Sequence, residues 1–192
     1  MNNIWEPIIN IIREYSKNNK NHSVEKIFAL QQSLQPYLDK YDFIKTEKLP
    51  YGRYLVHKDI DNDFNIQIDV FSENYTGQIH CHETWGILHV FRGFLFVEDW
   101  EELSNNKFRM RSGSILNPGS SQTFCPPVSD WHKVSSSNSK YQVISMHIYG
   151  NGFNIDKGIY LDSEYNRKEG KRSNFKEIDS INRILKNKIF SD

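Results

Sequence analysis

The sequence predicts a mainly β protein, a closed antiparallel barrel or jelly roll with two N-terminal helices packed on it. Three observations predict this. From Tyr51 to about Leu161, short runs of β-branched and aromatic residues alternate with turn residues, the spacing of many short antiparallel strands. Ahead of them, two segments repeat apolar residues at the helical period. A chain of 192 residues, 38% of them hydrophobic, is also long enough to bury one substantial core.

Ile4, Ile8, Ile11 and Ile12 lay an apolar stripe along residues 4 to about 16. Asn21 to Ser23 supply capping residues for a second helix, whose stripe is Val24, Ile27, Phe28, Leu30, Leu34 and Leu38. Leu49 and Pro50 end the helical character. Strands are predicted at 54–57, 64–71, through the segment 77–86, along 87–97 with a bend at Gly93, and at 108–110, 114–116, 122–124, 132–134 and 141–149. Asn117-Pro118-Gly119 and Cys125-Pro126-Pro127 punctuate them. Beyond Gly152 the chain turns polar: residues 163–173 read as a surface excursion and 175–190 as a closing helix. One domain is expected over 1–192, with helices to residue 40, a barrel over 51–162 and a polar extension over 163–192.

Twenty-four basic and 24 acidic residues cancel, so no whole-chain field favours nucleic acid or an anionic membrane. Two cysteines, Cys81 and Cys125, are too few for a disulfide framework and fit a reducing compartment. The first residues carry Glu6, Arg13 and Glu14 among their apolar positions, unlike a signal peptide. No apolar run reaches membrane-spanning length. The expectation is a soluble cytoplasmic protein, monomer or homodimer.

The chemistry centres on GQIHCHETWG, residues 77–86. His80 and His82 are two apart on a strand, so both imidazoles leave the same face. His132, in SDWHKVSSS, opens another strand 50 residues after His82, and strands that far apart become neighbours in a jelly roll. Three neutral imidazoles suit Fe, Zn, Cu or Ni and do not suit Mg or Ca. Downstream, Ser145, His147 and Tyr149 alternate with Ile144, Met146 and Ile148, so the three polar groups share one strand face. Read alone, that alternation also fits the solvent face of an edge strand. Beside three histidines it predicts an inward chain of hydrogen bonds from Ser145 to His147 to Tyr149.

The segment resembles the first cupin motif, whose His-x-His is followed by a glutamate and then a glycine. Gly93 matches the glycine, whereas Gly86 and Ile87 stand where the glutamate would fall. Glu83 follows His82 and points to the other face of a regular strand, which leaves it outside the ligand set. Within that superfamily the pattern resembles the thiol dioxygenases, comprising cysteine dioxygenase and the bacterial 3-mercaptopropionate dioxygenases. The resemblance runs through HCHETWG, Val90-Phe91-Arg92-Gly93, WHKV and SMHIYG, over about residues 51–150. Ser145, His147 and Tyr149 follow His132 by 13, 15 and 17 residues, as in the family's Ser-x-His-x-Tyr.

The resemblance implies a cupin double-stranded β-helix holding one Fe(II) on His80, His82 and His132, with Zn or Ni as substitutes. It implies oxidation of a small thiol carboxylate by O2 to a sulfinate, with Tyr149, His147 and Ser145 as the relay. Arg53, in YGRYLV, matches the carboxylate-binding arginine, and an arginine fork suits a carboxylate; a surface arginine is the alternative, and Arg92 the other candidate. A cysteine that cross-links the tyrosine in mammalian members falls here at Gly86, so no cross-link to Tyr149 is expected. Departures are Cys81 for an aspartate, Glu83 for a small or neutral residue, and Ser136 near the place of an asparagine. Trp85 and Trp131 are expected to wall the pocket, with core packing as the alternative, and His22, His57 and His89 to be ordinary histidines. Two other functions stay open: a metal- or ligand-binding cupin without turnover, and a cupin enzyme of different metal-dependent chemistry.

Overall fold

Both N-terminal stripes form helices, α1 (Glu6–Asn18) and α2 (Val24–Leu38). The computed structural model describes residues 4–19, 21–40, 48–103, 107–126, 130–136, 142–150, 153–176 and 182. Ser23 caps α2, its Oγ accepting from Lys26 N at 3.4 Å, as the capping run 21–23 predicts. The remaining elements are β1 (Gly52–Asp59), β2 (Phe64–Phe71), β3 (His80–Cys81), β4 (Gly86–Arg92), β5 (Leu95–Leu103) and β6 (Lys107–Leu116), then β7 (Ser121–Phe124), β8 (His132–Ser135), β9 (Val143–Tyr149), β10 (Lys157–Leu161), β11 (Arg167–Lys171) and β12 (Phe175–Lys176).

Among the described residues the strands make two six-stranded sheets, in the orders β12-β1-β2-β9-β4-β7 and β11-β10-β3-β8-β5-β6, and every strand pairing is antiparallel except β1 with β12. The protein is mainly β, a jelly roll of two facing sheets with helices on one of them. No helix among the described residues is long and apolar enough to cross a membrane.

The central strands of the first sheet, β2, β9 and β4, are buried on both faces, and strand alternation sorts their residues. Phe64, Ile66, Ile68 and Val70 of β2, with Ile144, Met146 and Ile148 of β9, pack under Ile8, Ile9 and Ile12 of α1 and Ile27, Leu30 and Leu34 of α2. Arg13 ties α1 to the sheet through Asp59, Nε to Oδ2 2.7 Å. The opposite set, including Leu88, Val90, Val97, Val134, Val143 and Tyr149, fills the barrel. Into this interior β2 also sends Gln67 and Asp69, and β9 sends Ser145 and His147, all buried. Polar groups buried inside an apolar barrel are costly unless hydrogen-bonded, which makes this row the candidate site.

Several expectations need correction. The strand predicted through 77–86 is reduced to β3, and those predicted at 108–110 and 114–116 are one strand, β6. The strand predicted over 87–97 is two strands in different sheets: at Gly93, φ +74°, the chain leaves one sheet for the other. A Cβ there would lie 2.8 Å from Val143 Cγ2, so glycine serves both the turn and the packing. The excursion expected over 163–173 contains β11, paired along its length with β10, so the sheets extend past residue 162 to Lys176. Phe175 and Lys176 are a strand, not the start of a helix; the rest of the helix expected to residue 190 lies, apart from Asn182, outside the described residues.

Candidate metal centre

β3 and β8 pair at a single register, His80 opposite His132, and His82 follows one residue beyond β3. That brings the three predicted ligands together. Ring centroids are 4.4 Å apart for His80 and His132, 4.9 Å for His80 and His82, and 5.0 Å for His82 and His132. One ligand atom from each lies within 4.8 Å of the others, so the three can hold a metal ion. Bonds of about 2.0–2.1 Å in a tetrahedral site place donors about 3.4 Å apart, so loading would draw the rings slightly together.

Hydrogen bonds suit the rings to that task. His80 Nδ1 faces Gln78 O at 2.9 Å and His132 Nδ1 faces Asp130 O at 2.6 Å. A carbonyl only accepts, so each Nδ1 carries the proton and each Nε2 keeps its lone pair. His82 Nε2 is buried and has no hydrogen-bond partner among the described residues, an orphan that an ion would satisfy. Asp130 fixes the ligand loop from both ends: its carboxylate accepts from His82 N at 2.9 Å and Glu83 N at 2.7 Å, while its carbonyl orients His132. No spacing pattern around Asp130 marks it in the sequence, because its contacts are made through the fold.

The Ser145–His147–Tyr149 chain forms as its alternation predicts, on the inward face and not on an exposed edge. Ser145 Oγ lies 2.8 Å from His147 Nε2, and His147 Nδ1 lies 3.0 Å from Tyr149 Oη. The Tyr149 ring centroid is 4.3 Å from that of His82. Two tautomers fit these distances. Only the one in which Ser145 donates to Nε2 and Nδ1–H donates to Tyr149 leaves the phenol proton for a guest in the cavity. Burial pushes His147 down to about 3 and holds Tyr149 above its ordinary value, so both stay uncharged near neutral pH.

Beside these groups lies a cavity of about 250 Å³, lined by all three histidines, His147, Tyr149, Arg53, Asp69 and Arg172. Drug-sized ligands need about 300–1,000 Å³, so this one suits a small molecule. Arg53 reaches the cavity with its fork already engaged: Nη2 donates to Gln67 Oε1 at 3.0 Å, Nη1 to Ser173 O at 3.1 Å, and Nε is 3.8 Å from Asp69 Oδ1. Burial raises Asp69 to about 6 against the pull of Arg53 and Arg172.

Arg172, just past β11, is a site residue the sequence reading did not single out. It donates from Nε to Lys157 O at 2.7 Å and points Nη2 at His82 Nδ1, 3.2 Å away. Its guanidinium lies 4.5 Å over Phe153, which stacks on Tyr149 at 4.1 Å and 2°. Among the described residues no carboxylate lies within ion-pairing distance of Arg172. A metal held by His82 Nε2 would leave the ring proton on Nδ1, which would then no longer accept from Arg172 and would free that donor for an acceptor in the cavity it lines.

Other candidates fall elsewhere. Trp85 belongs to the core under the helices, 5.8 Å from Tyr15, and Trp131 packs on Phe108 at 4.9 Å; neither lines the cavity, which corrects the expectation for both. Arg92 ends β4 and is not a lining residue. Glu83, in a left-handed conformation (φ +56°), is exposed and paired with Arg167, away from the ligand set. Cys81 is buried off the cavity, its thiol pushed up to about 12. Ser136 accepts from Tyr75 N at 2.9 Å and so holds the loop that carries Tyr75 to the cavity rim. His22, His57 and His89 pair with Tyr15, Asp59 and Ser121.

The buried imidazoles predict how the metal-free protein responds to acid. His80 and His82 are held well below 6.5, with burial the largest cause, and His132 falls to about 4. The unfolded chain therefore takes up these protons first, and the stability they confer above pH 6.5 is lost as pH falls toward 4. Asp69 and Asp130, raised from 3.8 to about 6, act oppositely over much of that window. Four imidazoles, His147 included, outnumber two carboxyls. At about 1.4 kcal/mol per proton per pH unit, the expected net loss is on the order of 3 kcal/mol per pH unit. Urea midpoints at pH 7 and pH 5 read this directly; an unchanged or higher midpoint at pH 5 would refute it.

No family model matches the chain. Among solved structures, a cupin 2 domain-containing protein from Halorhodospira halophila is similar at TM-score 0.45 and 13% identity, over 62% of this chain and 75% of that one. An RmlC-like cupin protein from Ralstonia eutropha gives TM-score 0.43 and 14% identity, over 70% and 72%. A structure reported with the DMSP lyases RdDddP and RnDddQII gives TM-score 0.39 and 11% identity; the match covers 52% of this chain and less than half, 44%, of the other.

Proposed function

We propose that this is a cupin of the thiol dioxygenase type, a mononuclear non-haem iron enzyme of the cytoplasm. It oxidises a small thiol carboxylate, of the cysteine or 3-mercaptopropionate kind, to its sulfinate. The single observation that carries the reading is the Ser145–His147–Tyr149 chain, which ends beside the three-histidine cluster. A protein that only stores metal has no use for an oriented phenol there.

Three neutral imidazoles without a carboxylate fit Fe(II) and leave coordination positions for guests. Fe(II) on His80, His82 and His132, one per chain, would supply the point where a thiolate and O2 meet and where thiol acidity is raised. The net reaction, RSH + O2 → RSO2− + H+, places both oxygen atoms on sulfur and needs no external reductant. The residues of the chain do the rest. Tyr149 donates a hydrogen bond into the cavity, and His147 and Ser145 hold the phenol in that orientation. Arg53 and Arg172 give the cavity its preference for an anionic guest, and Arg172 is the one without a carboxylate partner among the described residues.

The test is O2 uptake by the iron-loaded protein across a panel of small thiols, with the product identified. Uptake matched by sulfinate supports the proposal. Iron binding with neither thiol binding nor O2 uptake would point to a metal-binding protein without turnover. Arg172→Gln should weaken 3-mercaptopropionate about 10- to 100-fold, the loss of a charge-assisted contact of roughly 1.5–3 kcal/mol, and leave 2-mercaptoethanol, whose far end is an uncharged hydroxyl, unchanged. Equal effects on both thiols would remove the carboxylate role from Arg172.

A further inference from the structure

β4 sends Ile87 and Phe91 under the helices and Leu88 and Val90 into the barrel. Gly86 takes the next inward position and is hydrogen-bonded between two strands, opposite Phe124 of β7 and Tyr149 of β9. A Cβ on Gly86 would lie 2.4 Å from Phe124 Cε2, 2.6 Å from Cδ2 and 3.2 Å from Tyr149 Cδ1. The Phe124 ring therefore occupies the space where a side chain at residue 86 would project. Glycine within a strand marks such close approaches.

From that seat the ring reaches the metal-capable cluster. Phe124 stacks on His132 with centroids 4.7 Å apart and planes at 14°, and its centroid is 6.2 Å from that of His82. It is 2% exposed. The cavity touches all three histidines but not Phe124. So the ring backs the cluster while the cavity opens from it elsewhere. The Asp130 carbonyl sets the tautomer of His132; a flat apolar face against the imidazole sets its plane.

We propose that the Gly86–Phe124 pair closes one side of the metal position. Phe124 holds the plane of His132 and bars a further protein ligand or a water from that side, so guests reach the ion only through the cavity. This rests on His80, His82 and His132 as ligands and on nothing about the reaction.

Co(II) is the probe, because its visible bands are intense in tetrahedral sites and weak in octahedral ones. Metal-free protein is titrated with Co(II), with circular dichroism as the check on folding. Phe124→Leu keeps an apolar side chain and removes the flat face; Phe124→Ala also opens the space. Both should lower Co(II) affinity about 10- to 100-fold, the usual effect of losing a group that orients a ligating histidine. In Phe124→Ala the bands should also weaken as water enters. Gly86→Glu should lose Co(II), because its side chain has no room. Gly86→Glu combined with Phe124→Ala should bind Co(II) more tightly than Phe124→Ala alone, because a carboxylate then stands in the cleared space. A purely structural role for Phe124 gives no such recovery. Unchanged affinity and bands in Phe124→Leu, which is read if Phe124→Ala does not fold, would overturn the proposal. So would Gly86→Glu binding like the wild type, or a double variant no better than Phe124→Ala. Wild-type protein that takes up no Co(II) would overturn the metal site and this inference together.

Discussion

His132→Ala is expected to abolish metal uptake while leaving the fold standing. Four-ligand structural zinc sites bind with roughly 10–16 kcal/mol, so an equal share is about 3 kcal/mol per ligand, a loss of at least a hundredfold. The remaining pair, His80 and His82, still faces the cavity but cannot enclose an ion. The fold has other support, because the apolar layer between the helices and the first sheet does not involve residue 132. The variant should also resist acid better than the wild type when both are metal-free. It has one fewer imidazole buried with its pKa near 4. Metal content by elemental analysis and urea midpoints at pH 7 and 5 check both halves. Retained stoichiometric metal would remove His132 from the ligand set.

Tyr149→Phe is the complementary case: metal retained, turnover reduced. The phenyl ring keeps the stack on Phe153 and the contact with His82, so the cluster stays in place. What disappears is the hydroxyl at the end of the relay. A positioned donor of this kind is worth about 10²- to 10³-fold in rate. His147 Nδ1 loses its partner inside the barrel, which costs about 1–3 kcal/mol of stability. Ser145→Ala should have the same sign and a smaller size, because it disturbs only the orientation of His147. Iron content, stability and thiol-dependent O2 uptake of the same preparations separate these effects. A Tyr149→Phe protein with wild-type turnover would show that the relay has no part in the reaction.

Much of the centre was legible from strand periodicity. Ser145, His147 and Tyr149 share a face of β9 by that rule, and His80 and His82 converge by the same spacing although the strand itself ends at Cys81. His132 could be joined to the pair because distant strands meet in this architecture. The same parity, applied one residue further, would have placed Trp85 with Ile87 and Phe91 under the helices instead of on the cavity wall.

Arg172, Asp130 and Phe153 were not legible, for a different reason. Each reaches the site through tertiary pairing and not through a local pattern. KEGKRSN reads as a solvated loop until β11 pairs with β10 and β10 with β3, which carries Arg172 to His82. Asp130 acts through two backbone amides 48 and 47 residues away in the chain. Phe124 was visible only as one apolar residue of a short strand. Its place over Gly86 depends on β4 lying between β7 and β9.

One measurement bears most directly on the central claim, a histidine-held metal whose open positions face the cavity. Metal-free protein is loaded anaerobically with Fe(II), exposed to NO, and examined by electron paramagnetic resonance before and after addition of 3-mercaptopropionate. The expected result is an iron–nitrosyl signal equal to about one iron per chain, altered by the thiol and absent from His132→Ala. An iron-loaded protein that gives no nitrosyl signal, or a signal that neither the thiol nor the histidine substitution changes, would contradict it.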